Sequence, residues 1–441
     1  MATQPQMQFE AAPEVAERPR WSAGRRVSFR FAVLYFALYC FTNQVGPGFF
    51  PIPKVDIPDL GVLPPARPAV LWTAAHVFKI STPLVYTGSG SGDKTYDWVL
   101  VFCVLVAAAL GAIVWSVLDR RRVNYSAAYR WFHLFLRFAV GTQMVLYGMV
   151  KLVPLQMPFP FLTKLVEPYG NFSPMGVLWY SIGASPAYEM FVGSAELLGG
   201  ILLFFPRTAT LGALVCLADA TEIFALNMTY DVPVKLFAAH LIVMSLVLLG
   251  PELRRIVRFF FTDGEPGAAA RLKLFGGPRA NRIAVWVQVV YGLLVLAGNG
   301  FGAWTSWHTY GGGAPKSALY GIWSVEEMSK NGEVRAALVT DKERWRRVIF
   351  DRPSGMTFQR MDDTFAFYAA VVDTKDGTVK LGNDKMRRGM LRYERAGADQ
   401  MSLSGDIEGQ RVSMRLKLVD RSKMMLVSRG FHWVQDYPFN R

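Results

Sequence analysis

Ser185–Gly250, which reads SPAYEMFVGSAELLGGILLFFPRTATLGALVCLADATEIFALNMTYDVPVKLFAAHLIVMSLVLLG, sets the architecture of the whole chain. It contains three apolar helical segments joined by turns of only a few residues. Segments this long and apolar are typical of helices that cross a membrane. Six ionisable side chains lie inside them. Charges in such positions indicate either a functional site or ion pairs between helices.

Composition extends this interpretation to all 441 residues. The chain is 52% hydrophobic and 14% aromatic, which predicts a polytopic membrane protein rather than a soluble enzyme. The formal net charge is +14, and the basic residues cluster beside apolar segments at Arg18–Arg30, Arg120–Arg122 and Arg254–Arg282. This clustering indicates membrane topology and not nucleic-acid binding.

Seven apolar segments are predicted to be transmembrane helices. They cover about Val27–Val45, Tyr96–Leu118, Ala127–Leu152, Ser185–Phe205, Thr208–Met228, Val232–Gly250 and Ile283–Phe301. Every short loop rich in Lys and Arg falls on one side of the membrane, which places the N-terminus in the cytoplasm and the C-terminal domain outside. The expected location is a bacterial inner membrane, with the C-terminal domain periplasmic or otherwise external.

Composition also divides the chain into five segments. They are a disordered cytoplasmic tail (1–26), two spans with a long external loop (27–126), a four-helix membrane bundle (127–261), a basic cytoplasmic segment with the seventh span (262–311) and an external β domain (312–441). The tail is polar and rich in proline. Prolines between Gly46 and Pro68 indicate an irregular loop after the first span.

The β domain follows the linker Gly311–Gly313 as nine short runs in which apolar and polar residues alternate. The runs are Trp323–Met328, Trp345–Asp351, Met356–Met361, Phe365–Asp373, Val379–Gly382, Met390–Glu394, Gln400–Asp406, Arg411–Leu418 and Met425–Arg429. Pairs such as Asp376-Gly377 and Glu408-Gly409 separate them as hairpin turns. An antiparallel barrel or sandwich is predicted. Gly321-Ile322-Trp323 and Arg429 resemble the lipocalin-type barrel, in which a first-strand Trp packs beneath a late Arg.

Two predicted membrane helices carry charges on faces that are lined with glycine. These faces consist of Arg137, Gly141, Met144, Gly148 and Lys151 on the third span, and of Glu189, Gly193, Glu196 and Gly200 on the fourth. Small residues at this spacing permit close approach of helices. Helix depth places Arg137, Glu196 and His240 in one layer near mid-membrane. A second layer towards the outer face contains Lys151, Glu189, Asp219, Glu222 and Lys235.

Two interpretations of these charges stay open. They are either interhelical ion pairs that hold the bundle together or the lining of a polar cavity. A cavity could bind a quinone headgroup, with Arg137, Tyr147 or His240 donating to its carbonyls and Glu196 or Glu222 exchanging protons. The candidate catalytic residues are therefore Arg137, Glu196, Glu222 and His240, and the candidate cofactor-binding residues are Tyr147, Lys151, Glu189, Asp219 and Lys235. Similar depth further predicts that Arg137 and Glu196 interact directly or across one water.

Other cofactors have no signature in the sequence. No HExxH, CxxCH, P-loop or Rossmann fingerprint occurs, so no metal, haem c, nucleotide or flavin is predicted. No CxxC pair indicates thiol redox chemistry. His432 and Trp433, followed by Tyr437 and Phe439, form an aromatic C-terminal tail that is expected to plug the barrel or pack against it.

Three motifs within about Ala127–Phe261 resemble the DoxX-like family of small four-helix membrane proteins. They are Tyr147-Gly148-Met149-Val150-Lys151-Leu152 after Arg137 and Gly141, Glu196-Leu197-Leu198-Gly199-Gly200-Ile201-Leu202-Leu203, and Asn227-Met228-Thr229-Tyr230-Asp231-Val232-Pro233-Val234-Lys235 leading into His240. The family is tied to subunits of thiosulfate:quinone oxidoreductase and to membrane-associated oxidoreductase complexes, so the resemblance implies a quinone-linked redox setting. The two N-terminal spans, the long outer loops, the seventh span and the β domain depart from the family pattern.

The expected function is a component of a quinone-linked membrane redox system, with its site between the third to sixth spans. If chemistry occurs there, the chain is an oxidoreductase subunit. Two alternatives belong to other classes: a non-enzymatic envelope protein whose barrel binds a lipid or apolar ligand, and a structural subunit of a membrane complex. The expected partners are the lipid bilayer, a quinone or apolar ligand and the subunits of such a complex, without nucleic acid.

Overall fold

A computed structural model describes residues 20–52, 55, 57–269, 273–383 and 386–440. Most of the predicted disordered tail, residues 1–19, lies outside the described residues. The chain divides into two compact units. The helical unit comprises Met1–Leu146, Leu198–Asn227 and Pro233–Gly298, and the barrel unit comprises Tyr147–Leu197, Met228–Val232 and Asn299–Arg441.

Helices of very different length precede the β domain. They are α1 (Ala23–Phe41), α2 (Val45–Gly48), α3 (Ala66–His76), α4 (Thr95–Leu118), α5 (Ser126–Leu152), α6 (Pro174–Gly183), α7 (Pro186–Phe204), α8 (Ala209–Thr229), α9 (Lys235–Leu249), α10 (Leu253–Phe261) and α11 (Pro278–Thr309). All seven predicted spans therefore form helices, with ends that differ by only a few residues for most of them. Such agreement is expected where a long apolar run sets the helix.

Five helical segments of the described chain are long and apolar enough to cross a membrane. They are Thr95–Leu118, Pro186–Phe204, Ala209–Thr229, Lys235–Phe261 and Pro278–Thr309. The other two predicted spans, α1 and α5, are 19 and 27 residues long. They are outside this set of five because arginines and other polar side chains interrupt their apolar sequence.

A buried polar network joins α1 to the start of α5 within the helical unit. Arg30 is only 3% exposed. Its guanidinium donates to Tyr125 Oη at 2.7 and 2.9 Å and to Ser116 Oγ at 2.8 Å. Tyr125 Oη in turn donates to Asp119 Oδ2 at 2.7 Å. This buried cation is therefore surrounded by acceptors, as a low-dielectric interior requires.

The β domain is a closed barrel of eight antiparallel strands with one short added strand. The strands are β1 (Gly321–Lys330), β2 (Glu333–Val334), β3 (Trp345–Phe350), β4 (Gly355–Arg360), β5 (Phe365–Asp373), β6 (Thr378–Asn383), β7 (Met386–Arg395), β8 (Gln400–Ile407) and β9 (Gln410–Leu418). Each main strand pairs with the next, and β1 pairs with β9 from Trp323↔Leu418 to Lys330↔Val412 to close the barrel. Of the two predicted architectures, barrel and sandwich, the barrel is confirmed.

Alternation along the strands fills the barrel interior with large side chains. Trp323, Phe350 and Phe358 are at most 1% exposed, and the ring of Trp345 stacks on Phe358 at 3.8 Å between centroids. An eight-stranded barrel is just wide enough for side chains to fill. The interior is a packed core, so it offers no support for the predicted alternative of a lipid held in the lumen.

The last predicted strand and the predicted late Arg are wrong. Met425–Ser428 is a short helix, α12. The guanidinium of Arg429 lies 4.0 Å from the ring centroid of Phe439. The residue over the first-strand Trp323 is Arg395 of β7, whose guanidinium carbon is 5.8 Å from the ring centroid. Eight strands already satisfy every edge of the closed barrel, which leaves no place for a ninth run in the cylinder.

The aromatic tail was predicted to plug the barrel or to pack against it, and it does not plug the barrel. Trp433 is 91% and Tyr437 84% exposed. The interior of the barrel is already occupied by its own side chains. A plug would need space that this packed core does not provide.

Candidate functional site

Lys151 and Glu196 form a buried ion pair in the barrel unit. Lys151 Nζ lies 2.5 Å from Glu196 Oε1, and the two residues are 5% and 2% exposed. The helices come this close because glycines face each other. A Cβ added to Gly148 would lie 2.8 Å from Gly193 O, and one added to Gly193 would lie 2.7 Å from Gly148 O. The predicted role of glycine in close helix approach is confirmed here.

Glu189 and Tyr147 lie beside this pair in the same unit. Glu189 is fully buried, and its Oε1 accepts a hydrogen bond from Met157 N at 2.8 Å. Among the described residues, the buried Oε2 atoms of Glu189 and Glu196 have no hydrogen-bond partner. Lys151 Nζ is 5.9 Å from the ring centroid of Tyr147, within the range of a cation–π contact. Four predicted site residues thus form one cluster.

Arg137 belongs to the helical unit, where it caps the end of α7. Its Nε and Nη2 atoms donate to Leu203 O at 2.9 and 2.7 Å. Leu203 is in the last turn of that helix, where carbonyls have no intrahelical donor and attract cations. Arg137 and Glu196 therefore each have a partner within their own unit.

His240 is held between two tyrosines of α1. Its Nδ1 is 2.6 Å from Leu236 O, and its Nε2 is 2.7 Å from Tyr35 Oη. A carbonyl only accepts, so Nδ1 carries the proton and Nε2 accepts from the tyrosine. The ring of Tyr39 stacks on the imidazole at 3.6 Å. All of these partners lie on α1 and α9, which makes His240 a packed, hydrogen-bonded bundle residue.

Lys235 begins α9, and Asp93 caps that helix. Asp93 Oδ2 accepts from Lys235 N at 2.7 Å, and Oδ1 accepts from Leu236 N at 2.9 Å. The Lys235 ammonium group lies 3.9 Å from the same carboxylate. A carboxylate at a helix N-terminus satisfies free N–H groups and complements the helix dipole. The role of Lys235 is therefore tied to the start of α9.

The predicted outer layer draws on residues of both units. Asp219 is half-buried and Glu222 exposed, and both belong with Lys235 to the helical unit. Lys151 and Glu189 belong to the barrel unit. Within the described ranges, no group of three or more His, Cys, Asp or Glu side chains could hold a metal ion.

A cavity of about 680 Å³ lies within the helical unit. It is lined by α5, by the start of α8, by the segment from the end of α9 through α10 and by the start of α11. Arg137 and His133 are among its lining residues, together with apolar side chains such as Leu134, Leu214 and Leu248. This size and mixture of apolar walls with a few polar groups are typical of a small-molecule site.

The polar residues of this cavity differ from those of the ion-pair cluster. They are Arg130, His133, Arg137, Arg207, Thr210, Glu252, Arg255, Lys273, Asn281 and Gln288. Arg137 is the one residue that the sequence analysis also named as a candidate catalytic residue. His133 Nε2 lies 3.1 Å from Leu248 O, and Arg255 Nη1 lies 3.1 Å from Glu252 Oε2. The cavity can accept a molecule with a polar end and an apolar body.

No family model matches the chain, and no solved structure matches it. The uncharacterized protein YwoB of Bacillus subtilis (strain 168) is 33% identical to it over 129 residues, which are 29% of this chain and 79% of YwoB. The chain belongs to the YwoB family. The name of YwoB states no activity, so the DoxX-like resemblance and the quinone-linked role stay predictions.

In this YwoB-family chain, the sequence analysis missed most of the cavity residues. Arg255 belongs to the basic cluster Arg254–Arg282, which was interpreted only as topology, while Arg130 and Arg207 lie near the ends of predicted spans and were not named. The signal that could have found them is a charge next to a predicted helix end, where it can also face inward. Asp93 was missed as well, because a Gly/Ser-rich turn gives no sign of which helix its carboxylate will cap.

Proposed function

We propose that the chain is a multi-pass membrane protein whose helical unit binds the polar end of an amphipathic molecule from the bilayer. The observation that carries the proposal is the cavity of about 680 Å³, in which Arg137 and Gln288 accompany apolar walls. Both residues are only 6% exposed. Buried polar groups among apolar side chains are the usual means of orienting a small ligand.

A quinone is the specific ligand that the DoxX-like resemblance implies, within a membrane redox system. A quinone has carbonyl oxygens that accept hydrogen bonds and an apolar tail. The Arg137 guanidinium is the donor named for this role, and the neighbouring Leu134 and Leu214 supply an apolar wall. The proton-exchange role predicted for Glu196 has less support, because its carboxylate is held by Lys151.

Lys151 and Glu196 are better explained as a structural pair. The two charges are buried together, at matched positions on glycine-lined faces. A lone charge inside a membrane costs at least about 2.5 kcal/mol, and pairing removes much of this cost. We therefore assign the pair to holding α5 against α7, which is the interpretation by ion pairs rather than by a cavity.

Ligand binding is tested by extracting and identifying the small molecules that copurify with the protein. Leu214→Trp should reduce their occupancy several-fold because it fills part of the cavity. Leu246→Trp is the matched control, since Leu246 is 51% exposed on α9 and does not line the cavity. Equal occupancy in both variants, or no copurifying molecule in the wild-type protein, would contradict the proposal. A quinone among the extracted molecules would support the proposal that the chain belongs to a quinone-linked redox system.

The topology forms part of the proposal: seven spans in a bacterial inner membrane, with the N-terminus in the cytoplasm and the barrel outside. The positions of Lys and Arg support this orientation. A reporter fused after Arg441 should behave as external, and one inserted near Glu265 as cytoplasmic. A cytoplasmic signal from the C-terminal fusion would remove the seven-span arrangement.

A further inference from the structure

The cavity of the helical unit carries an excess of positive charge that a neutral ligand does not need. Its lining contains five cationic side chains, Arg130, Arg137, Arg207, Arg255 and Lys273, and one carboxylate, Glu252. Glu252 is paired with Arg255 at 3.1 Å. Among the described lining residues, the cationic side chains therefore outnumber the carboxylates by five to one.

Buried polar atoms without hydrogen-bond partners also support a ligand in this cavity. In the described part of the chain, Arg130 Nε, Arg255 Nε and Gln288 Oε1 are buried and have no hydrogen-bond partner. All three belong to residues that line the cavity. Two of them are N–H donors on cationic groups. Leaving a buried donor unsatisfied is costly, so the two arginine Nε atoms mark where an acceptor of a ligand would reduce that cost.

The apolar part of the lining defines the rest of the ligand. Phe259 and Phe260 of α10 line the cavity beside Arg255, and they are 66% and 63% exposed. Leu214 and Leu248 continue the apolar wall. Cationic groups next to exposed aromatic rings and leucines match a molecule with an anionic head and hydrocarbon chains.

We propose that this cavity binds a membrane lipid through a phosphate-bearing, anionic headgroup. Guanidinium groups bind phosphate through two parallel hydrogen bonds, and basic pockets between transmembrane helices hold anionic headgroups. This inference rests on the proposed function, which it narrows from any amphipathic molecule to an anionic lipid. Arg130 and Arg207 contact the phosphate, while the acyl chains lie along the leucine and phenylalanine side chains.

The competing explanation is a general attraction between a basic membrane surface and anionic lipids. The chain offers a matched control for it. Arg254 and Arg258 lie on α10 beside Arg255, are exposed and do not line the cavity. A double variant at these positions removes the same charge as a double variant at Arg130 and Arg207. Only a true pocket distinguishes the two variants.

The experiment is native mass spectrometry of the purified full chain in detergent, titrated with phosphatidylglycerol. The cavity variant is Arg130→Gln with Arg207→Gln, and the control variant is Arg254→Gln with Arg258→Gln. Each basic residue near a headgroup is worth about fivefold in affinity, so the cavity variant should bind phosphatidylglycerol about 25-fold more weakly. The control should change by less than about twofold. Restoring charge with Arg130→Lys and Arg207→Lys should recover most of the binding, which separates lost contacts from misfolding.

Further titrations distinguish the sources of the ligand chemistry. Diacylglycerol with the same acyl chains, which lacks phosphate, should bind weakly, and inorganic phosphate alone should not displace phosphatidylglycerol. Equal losses in the two double variants would overturn the proposal in favour of surface attraction. Displacement by inorganic phosphate would also overturn it, because the site would then hold a free anion. Binding of decylubiquinone but not phosphatidylglycerol would overturn this inference and leave the proposed function standing. If none of these molecules binds, both this inference and the proposed function are wrong.

Discussion

The barrel strands and the long helices place their charges in opposite ways. Arg415 and Glu327 pair on the barrel strands at 2.7 Å with side chains 57% and 65% exposed. Lys151 and Glu196 pair at 2.5 Å on the helices with side chains 7% and 2% exposed. Water hydrates charged side chains on the surface of a barrel, whereas hydrocarbon cannot. Charged side chains of apolar helices are therefore buried between helices. An ion pair between a basic and an acidic side chain therefore lies on the surface of the barrel but is a structural contact between the helices.

The buried side chains of the barrel and of the helices also differ in polarity. The barrel core is built from apolar side chains, such as Phe350, Phe358 and Leu403. The helices bury Arg30, Arg137 and Glu189 among apolar residues. Each of these three has an oxygen or nitrogen partner on the backbone or on another side chain. Four predictions test this contrast.

The largest effect is expected from breaking the buried helical pair. Lys151→Met and Glu196→Gln should each lower the free energy of unfolding, by about 3–5 kcal/mol as for buried pairs in soluble proteins. The double variant should recover most of the loss because no charge is left alone. Denaturant titration of the purified protein in micelles measures all three. Losses that simply add in the double variant would show that the two residues are independent.

The next effect comes from the glycine contact that brings the pair together. Gly148→Ala should cost about 1–3 kcal/mol, because a Cβ there would lie 2.5 Å from Leu197 N, a backbone atom that cannot move aside cheaply. Gly302→Ala in α11 is the control, since nothing lies within 4 Å of a Cβ at that position. Thermal melts of the two variants in the same detergent give the comparison. A harmless Gly148→Ala would mean that the helices are not held this closely.

The exposed pair on the barrel should matter little. Arg415→Met and Glu327→Gln should each change the free energy of unfolding by about 0.2–1 kcal/mol, and high salt should reduce even that. The measurement is the same denaturant titration, repeated at low and high ionic strength. A loss as large as that of Lys151→Met would contradict the contrast between the two regions.

The smallest effect concerns a buried carboxyl outside the spans. Asp351 Oδ2 accepts from Leu162 N at 3.0 Å, and burial raises the pKa of Asp351 above its ordinary value of 3.8. The folded protein therefore holds the proton more readily than the unfolded chain, so this group lowers stability as the pH rises through the raised pKa. Asp351→Asn should remove that loss. Its melting temperature relative to wild type should rise from about pH 4 to about pH 7, and a constant difference would show that the carboxyl is not perturbed.

Periodicity predicted most of the local structure of this chain. All seven apolar segments form helices, and eight of the nine alternating runs form the barrel strands. Glu408 and Gly409 both have positive φ, at 52° and 80°, as the predicted tight hairpin turn requires. The ninth run, Met425–Arg429, alternates as well, but the barrel closes without it. The alternation of residues along the sequence does not predict how many strands a closed barrel contains.

The candidate site was predicted less well than the fold. The glycine faces and the buried charges were found, since both are visible as spacing on one helix. The acceptor of Arg137 at the end of α7 was not predicted, because a backbone carbonyl has no sequence signature. Likewise Arg395 and not Arg429 lies over Trp323. In each case several partners were compatible with the sequence.

The sequence by itself determined that the chain has long apolar helices and an antiparallel β domain, because hydropathy and periodicity are properties of neighbouring residues. Only the tertiary structure decided that Glu196 pairs with Lys151, that His240 stacks on Tyr39 and that a basic cavity forms beside Arg137. These outcomes depend on how each helix rotates about its axis and on which backbone groups are left without partners. Depth along a helix fixes only one of the three coordinates of a side chain. A contact between two side chains requires that all three coordinates match.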